Sequence, residues 1–364
     1  MERVKLGDIS KLINGDRGKN YPSQADITDD GEIPFVNAGH LNGRNIDFRE
    51  MNYISQDKYD KLNSGKFQKG DILYCLRGSL GKKAIVNNDV NGAIASSLVI
   101  IRPDSDKVSS EYLMLALDSP AIKEQLVKAN NGSSQPNLSA ASVREYEVEL
   151  PELSIQKGVV EKLVKVRSVI DSRQQELQLL DDLIKARFVE MFDGKYPEDK
   201  LLNLCNIIDY RGKTPEKVEG GLPFITAKNV KMHHMTLEPR EYISKETYDK
   251  VMIRGFPKQG DVVFTTEAPL GNVCRIPHFD TEFYIGQRIV TMQTDALNPA
   301  YLEYALSDEE FVRKYMGKSS GSTVTGIRVR LLEQLTIPVP PRPLQDEFSI
   351  FVNQVNKSKF VHLT

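Results

Sequence analysis

The chain has no tryptophan, three cysteines in 364 residues and a formal charge of only −2. Cys75, Cys205 and Cys274 lie far apart with no C-x-x-C pair, which removes a zinc knuckle or a disulfide framework and leaves buried reduced thiols as the expectation. No run of 18 apolar residues exists, and the start, MERVKLGDIS, lacks the apolar core of a signal peptide, so a cytoplasmic protein without membrane contact is expected. The near-neutral charge is not the bulk basic signature of a non-specific nucleic-acid binder: residues 1–152 hold 19 basic and 22 acidic side chains, and residues 196–342 hold 19 of each. If DNA is bound, positive charge must be concentrated locally, or a partner must supply most phosphate contacts.

Reaction motifs are equally scarce. There is no N/D-P-P-Y/F tetrapeptide, no G-x-S-x-G and no G-x-G-x-x-G opening a helix. Gly212, Lys213 and Thr214 resemble the tail of a phosphate loop, but Ile207 stands where its first glycine belongs. Pro103-Asp104 has no nearby D/E-x-K partner for a nuclease centre. His233 and His234 are adjacent, so their side chains diverge, and a solvated loop pair is expected rather than a metal site. No cofactor is expected, and a binding protein is favoured over an enzyme.

What the chain does have is a repeat. Landmarks recur in order about half a chain apart: Arg17, Gly18 and Lys19 with Arg211, Gly212 and Lys213; Tyr53-Ile54-Ser55 with Tyr242-Ile243-Ser244; Gly70-Asp71 with Gly260-Asp261; Tyr112-Leu113 with Tyr301-Leu302; Pro151 and Gln156 with Pro340 and Gln345. Each copy is long enough for its own core, and paired surfaces suit a target with two halves. Within a copy the pattern is mixed α/β. Residues 71–76, 93–95 and 98–101 read as buried strands, and 111–128 as one helix with Leu113, Leu117, Ile122 and Leu126 on one side.

The texture changes after Pro151. From Ser154 to about Phe192 there is no proline, and Val159, Leu163, Val166, Ile170, Leu177, Leu180, Ile184 and Met191 follow mostly at steps of four and three. This predicts a helical strut of about 38 residues, ~57 Å long, with Arg173 and Arg187 weakening its seam. A second pattern with Phe348, Phe351, Val352 and Val355 runs to about Lys359 and is about half as long. If the two helices pack antiparallel, the short one covers residues 177–191, and residues 159–170 are left exposing apolar surface.

Candidate binding residues lie at the loops. Arg17, Lys19 and Asn20, like Arg211, Lys213 and Thr214, flank a glycine that lets backbone approach a phosphate; solvated turns are the other reading. Arg77, Ser79 and Lys82 form a basic glycine-rich turn. Its counterpart contains Glu267, able to accept from a cytosine amino group, so the two copies either read different bases or have drifted. Asn131, Ser133, Gln135 and Asn137, matched by Ser322, Thr323 and Arg328, either read bases or simply lead into the last strand; Lys228 and Arg288 complete the candidate DNA-binding set.

Together these features resemble the specificity subunit of Type I restriction–modification systems. The resemblance rests on the opening Val4 to Ile9, the Lys69-Gly70-Asp71 and Gln259-Gly260-Asp261 strands, the glycine-serine loops at Gly132 and Gly321, and the two Pro-x-x-x-x-Gln motifs. It implies an α/β (α+β) fold: target recognition domains at 1–152 and 196–342, a long spacer helix at 153–195 and a short second one at 343–364, packed as an antiparallel coiled coil. It also implies a non-catalytic subunit in which each domain reads one half of a split site on double-stranded DNA. The spacer, through Val159, Leu163, Val166, Ile170, Leu177, Leu180, Ile184, Phe348, Val352 and Val355, would set the gap and dock modification (methyltransferase) subunits, with restriction subunits joining that core. A bivalent protein-interaction adaptor without a DNA role is the alternative.

Overall fold

The computed structural model describes residues 2–130, 137–210, 215–321 and 325–361. It divides into two units, Met1–Asp171 and Ser172–Thr364.

The most apolar segments of the first unit build its central sheet. Ile72–Cys75 is buried at every position, as are the first four residues of Leu98–Pro103, which read as a continuous apolar run because both faces are covered. The sheet order is Ser10–Asn14, Leu98–Pro103, Ile72–Cys75, Lys83–Ile85, all antiparallel. A second sheet runs Tyr53–Ile54, Ile33–Val36, Gly92–Ile94, Lys66–Phe67, and Glu2–Lys5 pairs with Glu147–Leu150. The expected helix over 111–128 is two helices, Ser110–Ala116 and Pro120–Ala129. Ser119 breaks the run: its extended backbone caps the second helix, with its hydroxyl accepting from the Ile122 N–H, and Pro120 takes the first helical turn, where no N–H is needed.

The second unit repeats this topology. Its central sheet is ordered Asn206–Asp209, Ile289–Gln293, Val262–Thr266, Leu270–Arg275, again antiparallel, and Glu198–Lys200 pairs with Thr336–Pro338. The smaller sheet has three strands, Tyr242–Ile243, Leu222–Ile225 and Tyr284–Ile285. The missing fourth corresponds to Lys66–Phe67, and Pro257 stands where Phe67 would, without an N–H for the ladder.

The repeated landmarks have structural reasons. Gly70 and Gly260 both adopt positive φ, +87° and +88°, which glycine tolerates best. The following aspartates close the turn: Asp71 accepts from the Gln68 N–H at 2.9 Å and Asp261 from the Lys258 N–H at 2.8 Å. The glutamines of the Pro-x-x-x-x-Gln motifs are buried. Gln156 accepts from the Ser109 N–H and donates to the Lys107 and Pro151 carbonyls; Gln345 accepts from the Asn298 N–H and donates to the Pro340 carbonyl. Each ties the start of a long helix to the start of a shorter one.

The long helix runs unbroken over Leu153–Phe192. In the first unit Val159 and Val160 pack against the core, and residues 161–170 are all exposed. In the second unit Ile184, Phe188 and Phe192 enter the core, where they meet the C-terminal helix Arg342–Val361 through Phe348, Val352 and Val355. Arg187 pairs with Glu347 and Asp181 with Lys359, so the two helices run antiparallel. Phe188 and Phe192 join the residues that the apolar spacing marks, and the Arg187 guanidinium binds Glu190 and Glu347 and lies over the Phe351 ring.

Candidate nucleic-acid interface

In the first unit, loops gather at the ends of the central strands. The Asp16 carboxylate accepts from the Gly18 and Asn63 N–H groups at 2.7 and 2.8 Å, bonds that hold its pKa below the ordinary carboxylate value. This pins the turn that carries Arg17 and Lys19, both exposed. Arg17 reaches the Ser96 carbonyl at 3.4 Å, and Asn20 donates to the Lys61 carbonyl, so part of their hydrogen-bonding capacity closes the loop. Arg77 and Ser79 are exposed, and Arg77 forms a β-bridge with Asn137. Lys82 is half-buried, donating to the Ala38 carbonyl at 2.8 Å, which gives it a structural task that the sequence does not reveal.

The second unit brings the equivalent loops together. The Thr266 N–H donates to the Arg288 carbonyl, and the Ile327 N–H to the Thr266 carbonyl, each at 2.9 Å, while Glu267 bridges Gly326. Glu267 is ion-paired to Arg288, with 2.9 Å between Oε1 and Nε. Lys228 and Arg328 are exposed; Lys228, Arg288, Pro215, Phe224 and Ala227 help to line a cleft of about 210 Å³. Lys217, absent from the candidates, stands at that cleft and pairs with Glu241 at 2.8 Å. Asn131, Ser133, Gln135, Arg211, Lys213, Thr214, Ser322 and Thr323 lie outside the described residues.

The expectation of a solvated histidine pair is corrected. His234 is exposed, but His233 closes the Val230–Lys231/His234–Met235 hairpin at φ +62°, bonds the buried Glu303 at 2.9 Å and stacks on Tyr304. Arg275 binds the other Glu303 oxygen at 2.6 Å, so the carboxylate is doubly partnered, as a buried charge requires. Seventy residues separate His233 from Glu303, and no local pattern signals their meeting. Among the described residues no group of three or more metal-ligating side chains converges, and no helix is long and apolar enough to cross a membrane.

The sequence model described as "Type I restriction modification DNA specificity domain" matches the chain twice, over residues 1–181 and 197–360. The chain is 23% identical to the Type I restriction enzyme EcoBI specificity subunit of Escherichia coli over 193 residues, 51% of this chain and 40% of that subunit. It is 19% identical to the MjaIX specificity subunit of Methanocaldococcus jannaschii over 349 residues, 88% of this chain and 79% of that one. In fold it is similar to the S subunit of a Type I restriction–modification system from M. genitalium, with TM-score 0.56, 15% identity and coverage of 98% of this chain and 90% of that one. A chain solved in work on complex assembly and conformational transition of the type I R-M system gives the same TM-score at 21% identity, covering 99% and 91%. With the family's domain matched in both halves, on two units of one topology, this chain belongs to the Type I restriction modification DNA specificity domain family.

Proposed function

We propose that this chain is the DNA-reading subunit of a Type I restriction–modification complex, with the copies at 1–152 and 196–342 each reading one half of a split site on double-stranded DNA. The observation that carries the reading is the double match to a DNA specificity domain, on two units whose central sheets have the same strand order while their loop-tip side chains differ. A shared framework with divergent tips is what two surfaces reading two sequences need. It favours DNA reading over an adaptor without a DNA role.

In this reading the chain is a non-catalytic cytoplasmic subunit and takes no cofactor of its own. Methylation and cleavage belong to modification (methyltransferase) and restriction subunits. The net charge of −2 fits this division, because Arg17, Lys19, Arg77, Lys228 and Arg328 supply local cations while partners make further phosphate contacts. Residues 153–195 serve as the spacer. The exposed apolar side chains of Leu163, Val166 and Ile170 supply surface for a partner, and the pairing of Ile184 with Phe348, Val352 and Val355 stiffens its other end.

The test is methylome sequencing of a host carrying the complex, with and without this gene. Two specified half-sites separated by a fixed unspecified gap are expected to lose methylation together. A continuous unsplit site, or no change, would overturn the reading.

A further inference from the structure

We infer that Arg288 and Glu267 act as one base-reading unit in the second copy, with Arg288 taking a guanine edge and Glu267 as the positioning residue that fixes the guanidinium plane. The inference rests on the DNA-reading role proposed above.

The two copies show what this position needs for folding and what it does not. The Thr266 N–H bonds the Arg288 carbonyl, and in the first copy the Leu76 N–H bonds the Ser97 carbonyl at the same 2.9 Å. The Ile327 N–H bonds the Thr266 carbonyl at 2.9 Å, and the Leu138 N–H bonds the Leu76 carbonyl at 2.8 Å. Glu267 bridges Gly326 as Arg77 bridges Asn137. Arg288 therefore stands where Ser97 stands, and Glu267 where Arg77 stands. The first copy builds the same backbone crossing without an ion pair, so the framework does not require one.

Stability is no better explanation. Both side chains are about half exposed, 53% for Arg288 and 42% for Glu267, a setting in which ion pairs contribute little. What is left for the pair is to bias where the guanidinium lies. Glu267 directly follows the strand Val262–Thr266 and Arg288 directly precedes Ile289–Gln293, and the backbones are tied there by the Thr266 N–H to Arg288 carbonyl bond and the Glu267–Gly326 bridge. The residue after Glu267, Ala268, is held at φ +48°, a left-handed conformation that a non-glycine residue keeps only when its surroundings impose it. Glu267 Oε1 lies 2.9 Å from Arg288 Nε, an ion pair on that side of the guanidinium that leaves its terminal amino groups for a second planar acceptor. The O6 and N7 atoms of guanine offer that acceptor in the major groove. In this arrangement the base contact is assigned to Arg288, with Glu267 paired to it.

The test selects bound DNA from a random duplex library, using the full chain assembled with its methyltransferase partner, and compares wild type with Arg288→Lys and Glu267→Gln. Wild type should enrich guanine at one position of one half-site. Arg288→Lys keeps the charge but not the fork, and should lower that preference by roughly 10- to 100-fold while every other position stays as specific. Glu267→Gln should blur the same position less. Unchanged preferences in Arg288→Lys would overturn the inference. So would uniform weakening with no position altered, loss of both half-sites together, or a cytosine preference that responds to Glu267→Gln alone. Failure of wild type to enrich any split sequence would instead bring down the DNA-reading proposal on which this rests.

Discussion

Two stretches of the long helix share an apolar rhythm and meet opposite fates. Leu163, Val166 and Ile170 are about half exposed, at 45%, 55% and 50%, whereas Ile184, Phe188 and Phe192 are buried. The difference lies in the partner: the second stretch meets Phe348, Val352 and Val355 of the C-terminal helix, whereas the first lies beyond Gln156, Val159 and Val160, where the helix meets its own unit. Periodicity in a sequence reports that a face wants cover, not what covers it.

The largest effect that separates the stretches is in packing. Phe192 has no exposed surface and sits with ring centroids 4.9 Å from Tyr301 and 5.6 Å from Phe348. Phe192→Ala should destabilise the second unit by about 3–5 kcal/mol, and Leu163→Ala should stay within about 0.5 kcal/mol, measured by urea unfolding of the chain alone. Equal losses would break the comparison, because Leu163 would then be covered in solution.

A smaller effect tests the likeness of the two units. Gln156→Leu and Gln345→Leu each remove a buried amide that serves a helix N-terminus, and each should cost about 1–3 kcal/mol. Gln156 serves two carbonyls and Gln345 one, so the first substitution should cost slightly more. A cost in only one unit would show that the shared motif does not do shared work.

These contrasts also mark what the sequence makes legible. The repeat, the buried strands near residues 72 and 98, and the long helix follow from local spacing, turn residues and apolar runs, and the structure carries each of them. The break at Ser119-Pro120 carries an ordinary cap-and-proline signal, which the continuous apolar spacing across it masks. The aromatic core around Phe188 and Phe192 depends on Tyr301 and Phe348, more than a hundred residues away. The Glu267–Arg288 and His233–Glu303 pairs are likewise tertiary, and one sequence holds no trace of which charge finds which. Candidate loops were therefore legible as loops, while the partners that orient their side chains were not.

The smallest expected effect on stability carries the most information about the exposed stretch. Every residue from 161 to 170 is exposed, so a second copy of residues 157–163 inserted after Leu163 adds two helical turns without displacing a core contact. Stability of the chain should change by no more than about 0.5 kcal/mol, and an added heptad keeps the apolar face nearly in line. If this helix sets the distance between half-sites, ~10 Å of added rise should lengthen the unspecified gap by up to about 3 base pairs, with both half-site sequences unchanged, read by methylome sequencing. The same gap in the lengthened protein would separate the two roles proposed for the stretch: its apolar face would remain available to a partner, but its length would not be the ruler.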